Sequence, residues 1–394
     1  MSNISEVCNE LWGARRDYFL RWYHSKPLVI TGQRREELTQ LHRVLYKACE
    51  YLAINYREFT DPYLRLSPKE MEILDYQSTK PFRAGAWRPD WIVSSQGDIL
   101  ICEITSRFFG HGLFMSYYAE CDAARYGQGA SRYEEVIAHI LELPGDKDEI
   151  FVLKSADKTS AIAMYKPLYE RFGKKVMILE ADEVEANRSA WEGKCILSAL
   201  NQHDLMSFSM DTLKALVDSG MINDLRTILL LHDKRFMRLW FEDSFTERFL
   251  SPEEADFLRS HAIMTYLSSD TEAFADARAN KDKYILKPYM LGKSEDVYAG
   301  CMTSEKEWKE IWEKKDMSGF ILQPFVEQRT FPQDWEGQHF DEYICGMMLC
   351  IDDRYYDSGM VRASSAPVTN KVDDRKMSVV HSSDMSMIEK GHLL

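Results

Sequence analysis

Two acidic residues and one arginine have the side chains needed to hold a metal ion and a phosphate group. Arg88 and Asp90 stand at the start of one apolar run, and Glu103 stands near the end of the next, two residues before Thr105. Carboxylates among apolar neighbours are costly to bury unless a cation balances their charge. Hard oxygen ligands suit Mg²⁺ better than Zn²⁺, and the fork of an arginine fits phosphate oxygens. This combination suggests nucleoside triphosphate chemistry; the residues alone leave open a plain ion pair between Arg88 and an acid.

A β-hairpin is expected to position these side chains. Apolar residues 91–93 and 99–101 flank Gly97 and Asp98, and two apolar runs around a Gly-Asp turn are typical of a hairpin. A hairpin brings its two outer ends together. We therefore expect Asp90 and Glu103 to be neighbours, and we expect Asp90→Asn or Glu103→Gln to abolish magnesium-dependent turnover while leaving the fold intact.

Composition limits the classes of partner. The 394 residues can form two or three domains or one elaborate domain, and 45% hydrophobic residues provide for large cores. A net charge of −14 argues against nucleic acid or an anionic membrane as the main partner.

The cysteine pattern and the apolar runs indicate a compartment. The eight cysteines include no CxxC pair and no zinc-like spacing with histidine, which is typical of a reducing cytoplasm. We see no signal peptide at the N-terminus and no apolar run near the roughly 20 residues that span a bilayer. We therefore expect a cytoplasmic protein that does not bind membranes.

The elements around the hairpin fall into three parts. Residues 4–60 have mostly helical periodicity, and Ser67 followed by Pro68 is a good helix start. The apolar runs 150–153, 175–179 and 194–198 alternate with helical stretches, which indicates an open α/β layer with parallel strands. No glycine-rich dinucleotide fingerprint accompanies them, so we expect a substrate-side or scaffolding role for this layer.

The C-terminal part combines helices with further strands. Residues 283–288 predict a strand that contains Lys287, and a loop follows at 289–296. An amphipathic helix is predicted over 304–314, then a strand and connector over 319–327. Residues 343–349 and 354–361 are expected to form antiparallel strands.

These motifs, in this order, resemble the circularly permuted ATP-grasp ligases, the group of eukaryotic glutathione synthetase and glutathionylspermidine synthetase. Arg88-x-Asp90 followed by Glu103-x-Thr105 is similar to the group's R-x-D and E-x-N pair, with threonine in place of asparagine. The strand ending in Lys-Pro, the following loop and the "ILQPFVE" strand are similar to the nucleotide-binding half. The loop here is poorer in glycine than the group's phosphate loop.

The resemblance implies a role for each matching residue. Arg88 and Arg362 would be catalytic, and Asp90, Glu103 and Thr105 would hold Mg²⁺. The ATP contacts implied are Lys234, Lys287, Lys293, Ser294, Gln323, Phe325 and Val326. Arg362 followed by Asn370 is similar to the group's terminal segment. For Lys234, the residues also leave open an ordinary solvated helix start at Asp233-Lys234-Arg235.

The fold implied is a mixed α+β and α/β protein, a circularly permuted ATP-grasp fold with an inserted open α/β (Rossmann-like) substrate-side domain. We place N-terminal helices and the metal-binding hairpin in residues 1–148, the α/β domain in 149–223, and the ATP-binding lid with the remaining core in 224–394. Relatives of this kind are often homodimers.

The function implied is an ATP-dependent carboxylate–amine ligase that forms an amide through an acyl phosphate, with an amino acid or small peptide as substrate. Arg83, Arg107 and Arg362 are the arginines that could hold a carboxylate. We expect His111, His232 and His381 to be structural or to lie near the substrate. Two alternatives stay open: a phosphotransferase on the same fold, and a non-catalytic nucleotide-binding module.

Overall fold

The computed structural model describes residues 3–110, 113–126, 132–290, 292, 294–369, 371–382, 384, 386 and 391–394. The predicted site residues Lys293, His111 and Asn370 lie outside these described residues.

Helices and strands alternate irregularly along the chain. The helices are α1 Ile4–Leu11, α2 Arg16–Leu20, α3 Gly32–Asn55, α4 Pro68–Gln77, α5 Leu113–Ala123, α6 Tyr133–Glu142, α7 Thr159–Arg171, α8 Arg188–Trp191, α9 Gln202–Ser207, α10 Met210–Asp218, α11 Phe236–Leu239, α12 Asp243–Thr246, α13 Pro252–Ser260, α14 Thr271–Ala279 and α15 Glu305–Lys314. The strands are β1 Leu28–Ile30, β2 Ala86–Val93, β3 Ile99–Thr105, β4 Glu149–Lys154, β5 Lys175–Glu180, β6 Cys195–Ala199, β7 Tyr284–Pro288, β8 Tyr298–Ala299, β9 Phe320–Pro324, β10 Phe331–Trp335, β11 Gln338–Met347, β12 Cys350–Ile351, β13 Arg354–Tyr355, β14 Met360–Ser364, β15 Arg375–His381 and β16 His392–Leu393.

Side-chain caps fix where the predicted helices begin. The Ser67 hydroxyl accepts from the Glu70 amide, and the Glu70 carboxylate accepts from the Ser67 amide, which is a complete capping box with Pro68 in the first turn. Ser304 and Glu307 repeat the arrangement at α15. These local signals confirm the predicted helix starts.

A large mixed sheet forms the centre of the molecule. Its strand order is β13-β12-β2-β11-β14-β15-β1-β16, with β3 paired to β2 and β10 paired to β11. The predicted β2–β3 hairpin is confirmed: Asp90 lies opposite Glu103, and Arg88 lies opposite Thr105. Because β11 and β14 follow β2 in the sheet, Arg362 on β14 lies on the same sheet as the two acids, paired with Cys345 on β11.

A second sheet is parallel, with the order β5-β4-β6. Its strands are the three continuous apolar runs of the sequence, and they alternate with helices as predicted. The chain turns from the end of β4 through a short helical turn, Ala156–Lys158, toward the central hairpin. This edge carries the carboxyl ends of parallel strands, where open α/β sheets usually bind ligands.

A third, antiparallel sheet has the order β8-β7-β9 and its own small core. This core is separate from the main one, which packs helices and strands from Val7 to Leu394. Its buried members are Phe274, Ala277, Leu286, Trp308, Phe320 and Leu322. The β8-β7-β9 sheet, with its own core, places Ile285, Lys287 and Gln323 on the side that faces the central sheet.

Two general expectations can be compared with the structure at this level. No described helix combines the length and the apolar character that a membrane crossing requires. The mixture of helices and sheets occurs in many α/β and α+β folds, so the permuted arrangement and the three domain boundaries stay predictions.

Candidate nucleotide and metal site

A partly enclosed cavity lies where the three sheets meet. Its empty volume is about 1230 Å³ with the open solvent at its mouth included. The charged side chains among the described residues that line it are Arg88, Asp90, Glu103, Arg107, Lys158, Lys287 and Arg362. Five of these seven are cationic, although the chain as a whole carries −14. The cavity therefore favours an anionic ligand.

The hairpin supplies the cavity floor through strand alternation and one bulge. Arg88 and Asp90 are two residues apart on β2, so they share one face. On β3 the pairing shifts from Ile101 opposite Trp91 to Glu103 opposite Asp90, which leaves Cys102 as an extra residue. Glu103 therefore lies opposite Asp90 and shares its face, which is the one that lines the cavity.

Arg88 and Asp90 form a buried forked ion pair. Arg88 Nε donates to Asp90 Oδ1 at 2.6 Å, and Arg88 Nη2 donates to Asp90 Oδ2 at 2.7 Å. Burial raises the pKa of Asp90 above its ordinary value, and the charge of Arg88 opposes that rise. The ion pair between Arg88 and an acid, which the sequence alone left open as an alternative, is thus present. It also fixes both groups on the cavity floor, where a carboxylate keeps further lone pairs for another partner.

Glu103 is held as a carboxylate by two lysines. Its Oε2 lies 3.4 Å from Lys234 Nζ, and Lys287 Nζ donates to the adjacent Cys102 carbonyl at 3.3 Å. Burial raises the pKa of Glu103, but the charges of Lys234 and Lys287 outweigh this effect and lower it to about 2. Glu103 is therefore ionised at any physiological pH.

Lys234 lies behind the cavity floor and is absent from the cavity lining. Asp233 and Lys234 are only 2% and 3% exposed, so the alternative of a solvated helix start is wrong. The Asp233 carboxylate accepts a fork from Arg235, whose guanidinium lies 3.7 Å from the centre of the Tyr289 ring. The Asp233 and Arg235 charges cancel each other in the interior, which lets the segment bury and directs Lys234 to Glu103.

The other end of the cavity is an apolar slot. Ile92, Ile263 and Ile285 line it, together with residues 323–326. The Gln323 side chain donates to Thr265 Oγ1 at 2.9 Å, while its Oε1 has no partner among the described residues. Val326 makes no backbone hydrogen bond to any residue that the structure describes. A flat base fits such a slot, with an open main-chain edge for hydrogen bonds.

The loop after β7 reaches across the cavity mouth. Gly292 and Ser294 line the cavity. The Ser294 hydroxyl donates to the Thr369 carbonyl at 2.8 Å. Ser294 therefore joins the loop to residues 367–369, which also line the cavity.

The three candidate carboxylate-binding arginines lie in different places. Arg362 and Arg107 line the cavity. Arg83 does not: its side chain is 48% exposed and lies 3.5 Å from Asp352, outside the cavity lining. Nothing in the spacing of arginines distinguishes these cases, because the choice depends on which strand edge faces the cavity.

Two of the histidines can be placed. His381 ends β15, opposite Ile30 of β1, and does not belong to the cavity lining. His232 does line the cavity. Burial, followed by the charges of Lys234 and Arg107, lowers the pKa of His232 to about 3, so the ring is neutral at physiological pH.

The donor set fits one kind of cation. The described residues contain no group of three or more His, Cys, Asp and Glu side chains suited to a metal ion. Asp90 and Glu103 offer two carboxylates, with Thr105 on the same wall. Mg²⁺ is commonly held by one or two carboxylates together with substrate phosphates and water, so this set suits Mg²⁺ and does not suit a closed structural zinc site.

Comparison with known families finds a similarity over part of the chain. Residues 41–230 are similar to the AnkG N-terminal domain. No curated protein matches the chain. The resemblance to circularly permuted ATP-grasp ligases is therefore corrected: the family model that the chain matches is the AnkG N-terminal domain and not a ligase family. The motifs that carried the resemblance to the ligases are short, and motifs such as Lys-Pro or R-x-D often arise by chance.

The region similar to the AnkG N-terminal domain covers only part of the cavity. It contains the β2–β3 hairpin and the β5-β4-β6 sheet, and it ends just before His232. Lys287, Gln323 and Arg362 lie beyond it. The cavity is thus completed by the part of the chain that follows the AnkG-like region.

Several lining residues were not predicted. They are Cys102, Lys158, Ile263, Gln328 and Cys345. A signal existed for Lys158, because it follows the carboxyl end of a predicted parallel strand. The others depend on the bulge and on strand order, which have no local signature.

Proposed function

We propose that the protein binds ATP with Mg²⁺ in this cavity and uses the γ-phosphoryl group to join a carboxylate to an amine. The proposal rests on one observation: a single cavity combines an apolar slot, five cationic side chains and a pair of carboxylates.

The proposed arrangement assigns each end of the cavity a part of the nucleotide. The base occupies the slot beside Val326, and the phosphates lie near Lys287, Arg88 and Arg362. Asp90 and Glu103 hold the Mg²⁺, with Thr105 beside them. When bound, Mg²⁺ offsets negative charge on the phosphate oxygens.

The proposed reaction has two steps. A carboxylate oxygen of the acid bonds to the γ-phosphorus as the bond to the β–γ bridging oxygen breaks, which releases ADP. The amine nitrogen then attacks the acyl carbon, phosphate leaves, and the amine loses a proton. Arg88 and Arg362 stabilise the charge on the transferring group. The loop carrying Ser294 keeps water from the acyl phosphate.

The cytoplasm is the proposed location. All eight cysteines are free thiols, and most of them are buried. Disulfides are rare in a reducing cytoplasm.

The test is magnesium-dependent ADP and phosphate release, measured with pools of carboxylates, with and without amines. Release that requires an acid and an amine supports the ligase. Release with an acid alone would replace it with a phosphotransferase. ATP binding without turnover in any pool would replace it with a nucleotide-binding module. Failure to bind ATP would reject all three.

Lys287→Met should abolish ATP binding, while Lys306→Met, at an exposed position of α15, serves as the matched control.

A further inference from the structure

One end of the cavity is built from donors and has no assigned ligand. Arg107 follows β3, Lys158 follows β4, and His232 belongs to a third segment, yet all three line the same wall. This wall lies on the side of the β5-β4-β6 sheet, opposite the apolar slot. Three distant segments that converge in this way indicate a binding function more than a local structural one.

The tautomer of His232 is fixed by the main chain. The Ser106 amide donates to His232 Nδ1 at 3.2 Å. A nitrogen that accepts this bond carries no proton, so in the neutral ring the proton is on Nε2. His232 is 2% exposed, and Nε2 has no hydrogen-bond partner among the described residues. A buried donor without a partner is unfavourable, and a ligand in the adjacent cavity removes that penalty.

Arg107 is oriented with donors left over. Its Nη2 donates to Asp157 Oδ2 at 2.7 Å, and its Nη1 makes a longer contact with Oδ1. The guanidinium has five N–H groups, and Asp157 accepts from only two of them. The Arg107 side chain is 10% exposed, so its position is set by packing as well as by Asp157.

The charge of this wall matches a monoanion. Arg107 and Lys158 contribute two positive charges, Asp157 cancels one, and Lys158 Nζ lies 3.8 Å from the same carboxylate. His232 adds a neutral N–H. A single remaining positive charge with several donors suits a carboxylate better than a phosphate dianion.

The wall also lies next to the metal-binding acids. Glu103 and Thr105 lie two residues apart on β3, and Arg107 follows two residues after the strand ends; all three line the cavity. A carboxylate held here therefore lies in the same cavity as the phosphates placed over Glu103.

We propose that His232 Nε2–H and Arg107, with Lys158, form the binding site for the carboxylate of the acid substrate. This inference rests on the proposed function, which supplies the reaction in which that carboxylate is phosphorylated. A neutral imidazole donates a hydrogen bond without transferring its proton, so it orients the carboxylate and leaves its nucleophilic oxygen ionised.

The first experiment uses the unmodified protein with acetate and inorganic phosphate as probes, in the presence of Mg²⁺ and ADP. The Nε2–H signal of His232 is followed by ¹H–¹⁵N NMR, after assignment with His232→Gln. We expect acetate to shift this signal in a saturable way. No shift with either probe would overturn the proposal, and so would tighter binding of phosphate than of acetate.

The second experiment compares two arginines that each pair with an aspartate. Arg107→Gln should weaken acetate binding about tenfold or more, and Arg83→Gln should leave it unchanged. Both should bind Mg²⁺–ADP as the wild type does. Equal acetate affinity in both variants would overturn the proposal.

The outcomes separate the two hypotheses. An acetate site at His232 without any ATP turnover would reject the ligase and keep the carboxylate site. Acid-dependent turnover would keep the ligase and reject this site if acetate did not shift the His232 signal and if Arg107→Gln bound acetate as Arg83→Gln does.

Discussion

Asp90 and Glu103 lie directly opposite each other on β2 and β3, and each has a different cationic partner. Asp90 is forked to Arg88, whereas Glu103 faces Lys234. Two carboxylates at one point of a sheet thus each have a separate cation beside them. This arrangement sets what each substitution should do.

Replacing Glu103 tests the metal site with little change to the core. Glu103→Gln keeps the shape of the side chain and removes one anionic ligand, so magnesium-dependent turnover should fall by at least about a hundredfold. Asp98→Asn, at the exposed turn of the same hairpin, is the matched control. Steady-state rates over a range of magnesium concentrations provide the measurement, and full activity of Glu103→Gln would reject the assignment.

Asp90 is expected to behave differently, and here the structure changes the earlier expectation that the fold stays intact. Asp90→Leu leaves Arg88 buried without a partner, and loss of one member of a buried pair costs about 3–5 kcal/mol. Arg88→Met should be similarly unfavourable, while the double variant should recover much of the loss. Urea unfolding gives the free energies for this double-mutant cycle. The exposed Arg188–Glu192 pair serves as a control that should show no measurable coupling; additive losses at Arg88 and Asp90 would contradict the prediction.

Gly346 is required by a close contact between neighbouring strands. A Cβ atom at this position would lie 2.0 Å from the Trp91 ring, which is itself fully buried. Gly346→Ala should therefore destabilise the protein by about 1–3 kcal/mol, as overpacked cores do. Gly319→Ala is the control, because nothing lies within 4 Å of its added Cβ. Thermal and urea unfolding measure both, and equal stabilities would show that the strands adjust freely.

His42 should make stability depend on pH. The ring is 4% exposed and stacks on Trp87 and Tyr355, and burial lowers its pKa from 6.5 to about 4. Between these values the unfolded chain binds a proton that the native chain does not, so stability falls as pH decreases from 6.5 to 4. The contribution of His42 is on the order of 3 kcal/mol over that interval.

The measurement is the free energy of unfolding at several pH values. His42→Gln should reduce the slope by one proton, whereas His203→Gln, at an exposed position of α9, should leave it unchanged. An identical slope in wild type and His42→Gln would show that the native ring takes up the proton.

The hairpin could be predicted because its signals are local. The Gly97–Asp98 turn and the apolar residues around it predict the hairpin and bring Asp90 near Glu103, whereas the one-residue bulge that sets the two directly opposite each other was not predicted. The parallel strands were equally clear, because continuous apolar runs of this length are typical of strands covered on both faces.

Of β11, residues 343–347 were predicted and the first half was missed, because that half contains buried charge. Glu342 of β11 is fully buried and pairs with His24 and Arg375, which come from distant parts of the chain. The hairpin turn between β10 and β11 places Glu336 and Gly337 at φ 50° and 78°, and glutamate is an unusual residue for that conformation. The burial of Lys234 could not be predicted for the same reason. The charges of its neighbours Asp233 and Arg235 neutralise each other through a contact that the sequence does not reveal.

The bulge at Cys102 joins two separately packed parts of the molecule. With Cys102 deleted, β3 would be a regular strand that still placed Glu103 opposite Asp90. The additional residue is therefore not needed for the acid pair. Its carbonyl is the group to which Lys287 donates, so this residue gives the separately packed β8-β7-β9 sheet an attachment point on the central sheet.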